Sequence, residues 1–357
     1  MRNLRADERI SIELRDMYRQ MGYLPYKVSQ FEEYDLYMQN KRFLSGDHVL
    51  SFSDLDGKLM ALKPDVTLSI IKNTQDDGDT RKLCYAERVY RVPRGAQGFK
   101  EIMQTGLEVI GPVDAYAMGE VLMLAAKSLA AISENWALDI ADLGIVSGIL
   151  AQTELTDGER AQVLELISNK NQHGLNALCA QLGLDEETGA LLGKLITVYG
   201  PLETTLPMFE AMGLPTACAE ALADLSAVQK MLKSYGISGV NLDFSVVNDM
   251  NYYNGLIFSG FIDGIPQSIL SGGRCDLLMK KMGRSAQAMG FAVYLDQMDR
   301  LIDERPAYDV DLLITYSAES DCTQMAAAAQ EAAQSGETVR VQREGETAVR
   351  SRRTIRM

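Results

Sequence analysis

Two alternating runs flank a loop between Lys82 and Gly111. Leu83, Tyr85, Glu87, Val89 and Arg91 repeat at the two-residue period of a strand, and so do Ile102, Gln104, Gly106, Glu108 and Ile110. Pro93, Gly95 and Gly98 break the pattern between them, so the stretch reads as a hairpin. Upstream, Leu4, Ile10, Leu14, Met17 and Met21 recur at helical spacing before Gly22. Val49–Phe52 and Leu59–Leu62 form a second hairpin, with Asp56-Gly57 as a two-residue turn signal. A long apolar helix is predicted after Pro112, with Asp114 as its N-cap, and a strand from Ala137 to Leu143.

From about 145 to 237 the texture turns helical, rich in Leu, Ala, Glu, Lys and Gln and punctuated by Gly158, Gly174, Gly183, Gly200 and Gly213. This predicts five or six short helices inserted into a β-rich body. Strand texture returns in VNLDFSVVN, GLIFSGFIDG, PQSILSGGRCD and AQAMGFAVYL, four segments read as an antiparallel meander turned in part by Gly264. Asp296–Ile302 reads as a helix. The last stretch, 306–357, reads strand (311–315), helix (323–335), strand (338–342) and a basic end: a small βαβ tail.

The chain has 357 residues, enough for two or three domains, and ordinary hydrophobic (46%) and charged (24%) contents. Its net charge of −14 argues against nucleic acid as a partner. Five scattered cysteines without a CxxC, and only two histidines, argue against a zinc site or a disulfide framework. No signal peptide or membrane-spanning run is legible, which predicts a cytoplasmic protein without membrane contact.

Three stretches carry candidate chemistry. In LKPDVT (62–67), Asp65 and Thr67 suit the cap of the helix that follows from Leu68. In the hairpin, Arg88, Arg91, Arg94 and Lys100 lie on or beside the loop, and Gln104 and Glu108 share one face of the return strand. That arrangement is either a site for a zwitterion or phosphate, or a solvated hairpin with charged edges. The third stretch is NDMNYYNG (248–255), followed by SGGRCD (271–276) and AMGFAVYL (288–295).

In this order and spacing the three stretches resemble the class II aminoacyl-tRNA synthetase core, specifically histidyl-tRNA synthetase, over residues 1–305. KPDVT resembles RPEGT, the hairpin resembles motif 2, NDMNYYNG resembles RGLDYYN, and SGGRCD resembles GGRYD. The resemblance implies an α+β fold: an antiparallel sheet flanked by helices, with a helical insertion at about 145–237. The 306–357 segment corresponds to a partial anticodon-binding-like domain. It implies that Asp65, Thr67 and Gln104 hold the ammonium of histidine, that Glu108, Tyr252 and Tyr253 line the imidazole, and that Arg91 takes the carboxylate.

The departures fall mostly on the nucleotide side, with Asn248 and Cys275 also touching the amino-acid pocket. Asn248 stands where the synthetase has the arginine of RGLDYYN, Gln297 where motif 3 has an arginine, and Tyr294 where a small glycine leaves room for adenine. Lys100 replaces the motif 2 arginine, and Cys275 replaces a pocket tyrosine. Adenylate formation needs cations on the phosphate, and the one that the RGLDYYN arginine supplies is lost at Asn248, while Lys100 keeps the charge but not the bidentate fork. The pattern resembles the regulatory paralogues of histidyl-tRNA synthetase that serve ATP phosphoribosyltransferase. That resemblance implies no catalytic residues, no cofactor and no tRNA. It implies a short-form catalytic subunit as partner, activation and histidine sensing in the first step of histidine biosynthesis, and a homodimer built near 23–37 within a hetero-oligomer. A divergent amino-acid-activating enzyme and an amino-acid sensor with another partner stand as alternatives.

Overall fold

The computed structural model describes residues 5–41, 44, 48–92, 98–247, 253–296, 298, 307–347 and 349–357. Asn248, Tyr252 and Gln297, the hairpin-loop residues Arg94 and Gln97, and most of the helix expected over Asp296–Ile302 lie outside the described residues. The chain divides into two compact units, Met1–Met298 and Asp299–Met357.

In chain order the strands are β1 (Leu24–Pro25), β2 (Phe31–Glu33), β3 (Ser51–Ser53), β4 (Leu59–Leu62), β5 (Arg81–Arg91), β6 (Lys100–Gly111), β7 (Trp136–Asp142), β8 (Gly200–Pro201), β9 (Val240–Leu242), β10 (Leu256–Ile262), β11 (Leu270–Arg274) and β12 (Gln287–Tyr294) in the first unit. The second unit holds β13 (Val310–Tyr316), β14 (Val339–Arg343) and β15 (Ser351–Arg356). The helices are α1 (Ala6–Gln20), α2 (Tyr34–Gln39), α3 (Thr67–Asn73), α4 (Ala115–Ile132), α5 (Leu143–Ile149), α6 (Asp157–Ser168), α7 (Gln172–Gln181), α8 (Glu186–Thr197), α9 (Leu202–Glu210), α10 (Ala219–Ser234), α11 (Asp276–Lys281) and α12 (Cys322–Gln334).

Nine strands form the main sheet in the order β1-β5-β6-β12-β11-β10-β7-β9-β8. Its middle is antiparallel, and the short strands β1 and β9 pair in parallel with β5 and β7. The expected four-strand meander is therefore corrected to three, β10-β11-β12. VNLDFSVVN contributes only β9. The Asp243 carboxylate then accepts from the Ser245 amide and turns the chain into a 3₁₀ helix.

Sheet alternation decides which residues meet which helices. Thr105, Leu107 and Val109 of β6 are buried on the face toward α1, where the Thr105 hydroxyl donates to Ser11 at 2.9 Å. α1 buries Ile10, Leu14 and Tyr18 at four-residue spacing. α4, capped by the Asp114 carboxylate accepting from the Ala117 amide, is long and apolar enough to cross a membrane, but 67% of it is buried within the chain itself. It packs on the sheet where Gly260 leaves room: a Cβ there would meet the Leu129 side chain at 2.7 Å. The opposite face of β5 and β6 meets α3 and α11 in a cluster containing Leu68, Ile71, Tyr85, Val89, Ile102, Cys275, Leu278 and Ala288.

Two further differences are local. The β3–β4 connection is a loop in which the Asp54 amide donates to the Lys58 carbonyl and Gly57 takes φ +83°, so Asp56-Gly57 is the end of a longer turn and not a two-residue one. In the second unit the basic end is a strand. β15 pairs in parallel with β13, so the tail is a three-stranded parallel sheet, β14-β13-β15, with α12 on one face. Ile355 joins Leu312, Ile314 and Ala332 in its core, while Arg353 and Arg356 pair with Glu337 and Glu344. The run of arginines hid one apolar anchor and its alternation.

Candidate functional site

Two adjacent rows across the sheet make the floor of a cavity. One runs Tyr85–Gly106–Ala292–Ser271–Ser259, and the next Leu83–Glu108–Gly290–Gly273–Ile257. Six of these positions carry no side chain beyond a methyl or hydroxymethyl group. Larger ones do not fit: a Cβ on Gly106 would meet the Tyr85 hydroxyl at 2.6 Å, and one on Gly273 would meet the Tyr253 ring at 2.7 Å. A Cβ on Gly290 would run into Glu108 Oε2 and the Leu107 carbonyl. The resulting cavity measures about 150 Å³, room for a small ring.

Asp65, Thr67, Arg91, Gln104, Glu108, Tyr253, Cys275 and Tyr294 all line it. The structure thus brings together six of the seven residues expected to hold a ligand, from LKPDVT, both hairpin strands and the NDMNYYNG loop. Tyr252 lies outside the described residues. Arg88 is not part of the cavity; it pairs with Glu101 at 2.5 Å on the exposed side of the hairpin. Tyr85, Ser271 and Ser259 were not anticipated. The signal for Tyr85 was present, since it lies six residues before Arg91 on the same strand and so on the same face.

Each acidic group has a defined setting. The Asp65 carboxylate accepts the Leu68 amide at 2.9 Å, so it does cap α3, while lining the cavity. Thr67 does not cap: its hydroxyl donates to Glu108 Oε1 at 2.6 Å. Glu108 is 4% exposed, and burial pushes its pKa from 4.5 up to about 8, opposed by the Thr67 hydrogen bond and assisted by the negative Asp65. Burial also raises the Asp65 pKa, with the Leu68 amide and the Arg91 guanidinium pulling the other way. The Cys275 thiol is buried and pushed well above its usual range, first by burial and then by Glu108.

Arg91 is the one cation among the described lining residues and forms no ion pair with any of them. Its guanidinium sits 5.3 Å from the centroid of the Tyr294 ring. The cavity lining therefore carries two carboxyls, Asp65 and Glu108, and one guanidinium, Arg91. Glu87, on the face of β5 shared with Arg91, is turned elsewhere: it pairs with Lys63 at 2.6 Å and accepts the Val28 amide at 3.0 Å.

SGGRCD acts as a fastening. Arg274 Nε donates to Asp276 Oδ2 at 2.7 Å, and Asp276 also accepts from Asn254 at 3.3 Å and from the Ala288 amide at 3.1 Å. The Asn254 amide donates to the Arg274 carbonyl at 2.9 Å. This network anchors the end of the NDMNYYNG loop to β11 and β12 and so places Tyr253 over the cavity.

A family model for histidyl-tRNA synthetase matches residues 2–298. The ATP phosphoribosyltransferase regulatory subunit of Clostridium kluyveri is 30% identical over 292 residues, covering 79% of this chain and 74% of that protein. Its counterpart from Alkaliphilus metalliredigens is 29% identical over 288 residues, covering 79% and 73%. Among solved structures, an ATP phosphoribosyltransferase regulatory subunit/histidyl-tRNA synthetase from Bacillus halodurans superposes with a TM-score of 0.81 at 24% identity, covering 98% of this chain and 93% of that one. A histidyl-tRNA synthetase from Nostoc gives 0.75 at 15%, covering 96% and 84%. A chain of the ATP phosphoribosyl transferase complex from Thermotoga maritima gives 0.64 at 19%, covering 82% and 98%. These structural likenesses carry the fold: the α+β, class II synthetase-like architecture. On the match over residues 2–298 and the identity to the Clostridium kluyveri protein, the chain belongs to the histidyl-tRNA synthetase family and, within it, to the ATP phosphoribosyltransferase regulatory subunits.

Proposed function

We propose that this chain is the non-catalytic regulatory subunit of an ATP phosphoribosyltransferase, activating a short-form catalytic subunit and sensing histidine in the first step of histidine biosynthesis. The observation that carries the reading is a cavity lined by two carboxyls, Asp65 and Glu108, one guanidinium, Arg91, and the ring of Tyr294. Two carboxyls with one guanidinium match a ligand with two cationic groups and one carboxylate. Glu108, buried and hydrogen-bonded to the Thr67 hydroxyl, is a carboxyl that can pair with a ring nitrogen. Asp65, Thr67 and Gln104 take the ammonium, Glu108 and Tyr253 (with Tyr252) the ring, and Arg91 the carboxylate.

The chemistry then belongs to the partner, in a cytoplasmic hetero-oligomer containing a homodimer of this chain. The exposed Leu24 and Phe31 lie within the 23–37 segment that this dimer uses. Histidine regulates only if it binds the active and inactive assemblies with different affinity. The enzyme reading, a divergent histidyl-tRNA synthetase, needs a cation at Asn248 or Gln297 that neither residue supplies.

The test is co-purification with a short-form catalytic subunit and assay of the complex. Stimulation by this chain, and its reversal by histidine, are expected. Histidine-dependent ATP–pyrophosphate exchange by the purified chain would overturn the proposal.

A further inference from the structure

We infer that Tyr294 is the specificity wall of the cavity: with Ser271 and Arg91 it admits a free amino-acid carboxylate and rejects an amino acid whose carboxyl carries a bulky substituent. The inference rests on the amino-acid reading of the site given above.

Tyr294 sits opposite Gln104 at the last position of β12. Its hydroxyl and that of Ser271, on the neighbouring strand β11, lie 2.6 Å apart and share a hydrogen bond. From the other side Arg91, on β5, reaches past β6 to stack on the ring at 5.3 Å. Arg91, Tyr294 and Ser271 thus form one bar across β5, β6, β12 and β11, tied at both ends.

A ligand with its cationic groups at Asp65 and Glu108 turns its carboxylate toward Arg91, against this bar. A carboxylate needs no more room than the guanidinium already offers. A group attached to the carboxyl must pass through the volume of the ring. Moving the ring breaks the Ser271 hydrogen bond and removes the platform under Arg91, so both costs fall on the same ligand. Tyr294 is therefore a positioning residue for Arg91 as well as a wall. The chain has the polarity to hold an amino acid, and by this device it excludes the activated or conjugated forms.

The test is calorimetric titration of the full chain with two probes: histidine, and the sulfamate conjugate of histidine with adenosine. The conjugate keeps the ammonium and imidazole and adds a nucleoside beyond the carboxyl carbon. The wild-type chain is expected to bind the conjugate at least about 100-fold more weakly than histidine. Tyr294→Gly opens the wall, and the conjugate then binds within about tenfold of histidine, while Tyr294→Phe keeps the ring but loses the tie to Ser271 and lowers the wild-type ratio by no more than about fivefold. Equal wild-type affinity for the two probes overturns the wall and leaves the amino-acid reading standing. Absence of histidine binding in the wild type overturns the amino-acid reading itself. Should Tyr294→Gly not fold, the wild-type ratio alone decides the matter, and Tyr294→Ala repeats the opening.

Discussion

The Thr67 hydroxyl donates to Glu108 Oε1 across 2.6 Å, joining the first turn of a helix to a carboxyl buried in the sheet. That one bond is what stabilises the ionised form of a group which burial and Asp65 hold protonated. The consequence concerns pH. Glu108 keeps its proton in the folded state up to about 8, whereas the unfolded chain releases it near 4.5. Between those values the folded state binds more protons, so stability of the ligand-free chain falls as pH rises. Asp142, raised from 3.8 to about 6 chiefly by burial, adds to the lower part of the same decline. Thermal melts of the ligand-free chain should show a falling midpoint from pH 5 to 8, and Glu108→Gln should flatten the upper part of the curve. A midpoint that rises over this range in the wild type refutes the assignment.

Thr67→Val tests the same contact from the other side. The substitution conserves shape and removes the donor, so the carboxylate form of Glu108 loses its partner. Histidine affinity at pH 7 is expected to fall about tenfold, the equivalent of one hydrogen bond to a charged group. Glu108→Ala should abolish binding with little loss of fold, because the group stabilises nothing in the empty chain at that pH. Unchanged affinity in Glu108→Ala by calorimetry would mean that the ligand sits elsewhere.

The alternation of the Lys82–Gly111 hairpin was enough to place Gln104 and Glu108 on one face, and the structure has them there. What alternation does not say is which face is hollow. That depends on Gly290 and Gly273 pairing across two strands beside the row that holds Gly106, a non-local property of the sheet. Glu87 and Arg91 illustrate the same limit. Both share a face of β5, yet one is drawn to Lys63 and the other lines the cavity. β15 was hidden for a different reason, since its single apolar anchor, Ile355, is outnumbered by arginines that find acidic partners only after folding.

Arg274 offers a test that leaves the cavity lining untouched. It holds Asp276, which in turn accepts from Asn254 and the Ala288 amide. Arg274→Met removes a largely buried charged hydrogen bond and loosens the end of the loop that carries Tyr253. Histidine affinity should weaken about tenfold, while the melting midpoint shifts by only a few degrees. The pattern to look for is a faster dissociation rate with little change in association. A stability loss without any change in dissociation would show that the network supports the fold alone.

Lys63 and Glu87 make the strongest prediction about stability. The ammonium is fully buried, 2.6 Å from a carboxylate that is itself 8% exposed, and the same carboxylate accepts the Val28 amide. The pair fastens the segment after β1 to the middle of β5. Its net worth is small, because desolvation offsets most of the attraction, but breaking it is expensive. Lys63→Met leaves a buried carboxylate with only the Val28 amide, and should cost about 3–5 kcal/mol in denaturant unfolding. Glu87→Leu leaves a buried ammonium whose other contact is the Val28 carbonyl at 3.4 Å, and should cost a similar amount. The double variant Lys63→Met with Glu87→Leu should recover a large part of either loss, since no charge is then left unpaired and only the Val28 groups lose a partner. The cycle is read as the interaction energy between the two positions. Additive losses in the double variant would show that each residue stabilises the fold through its own packing and not through the pair.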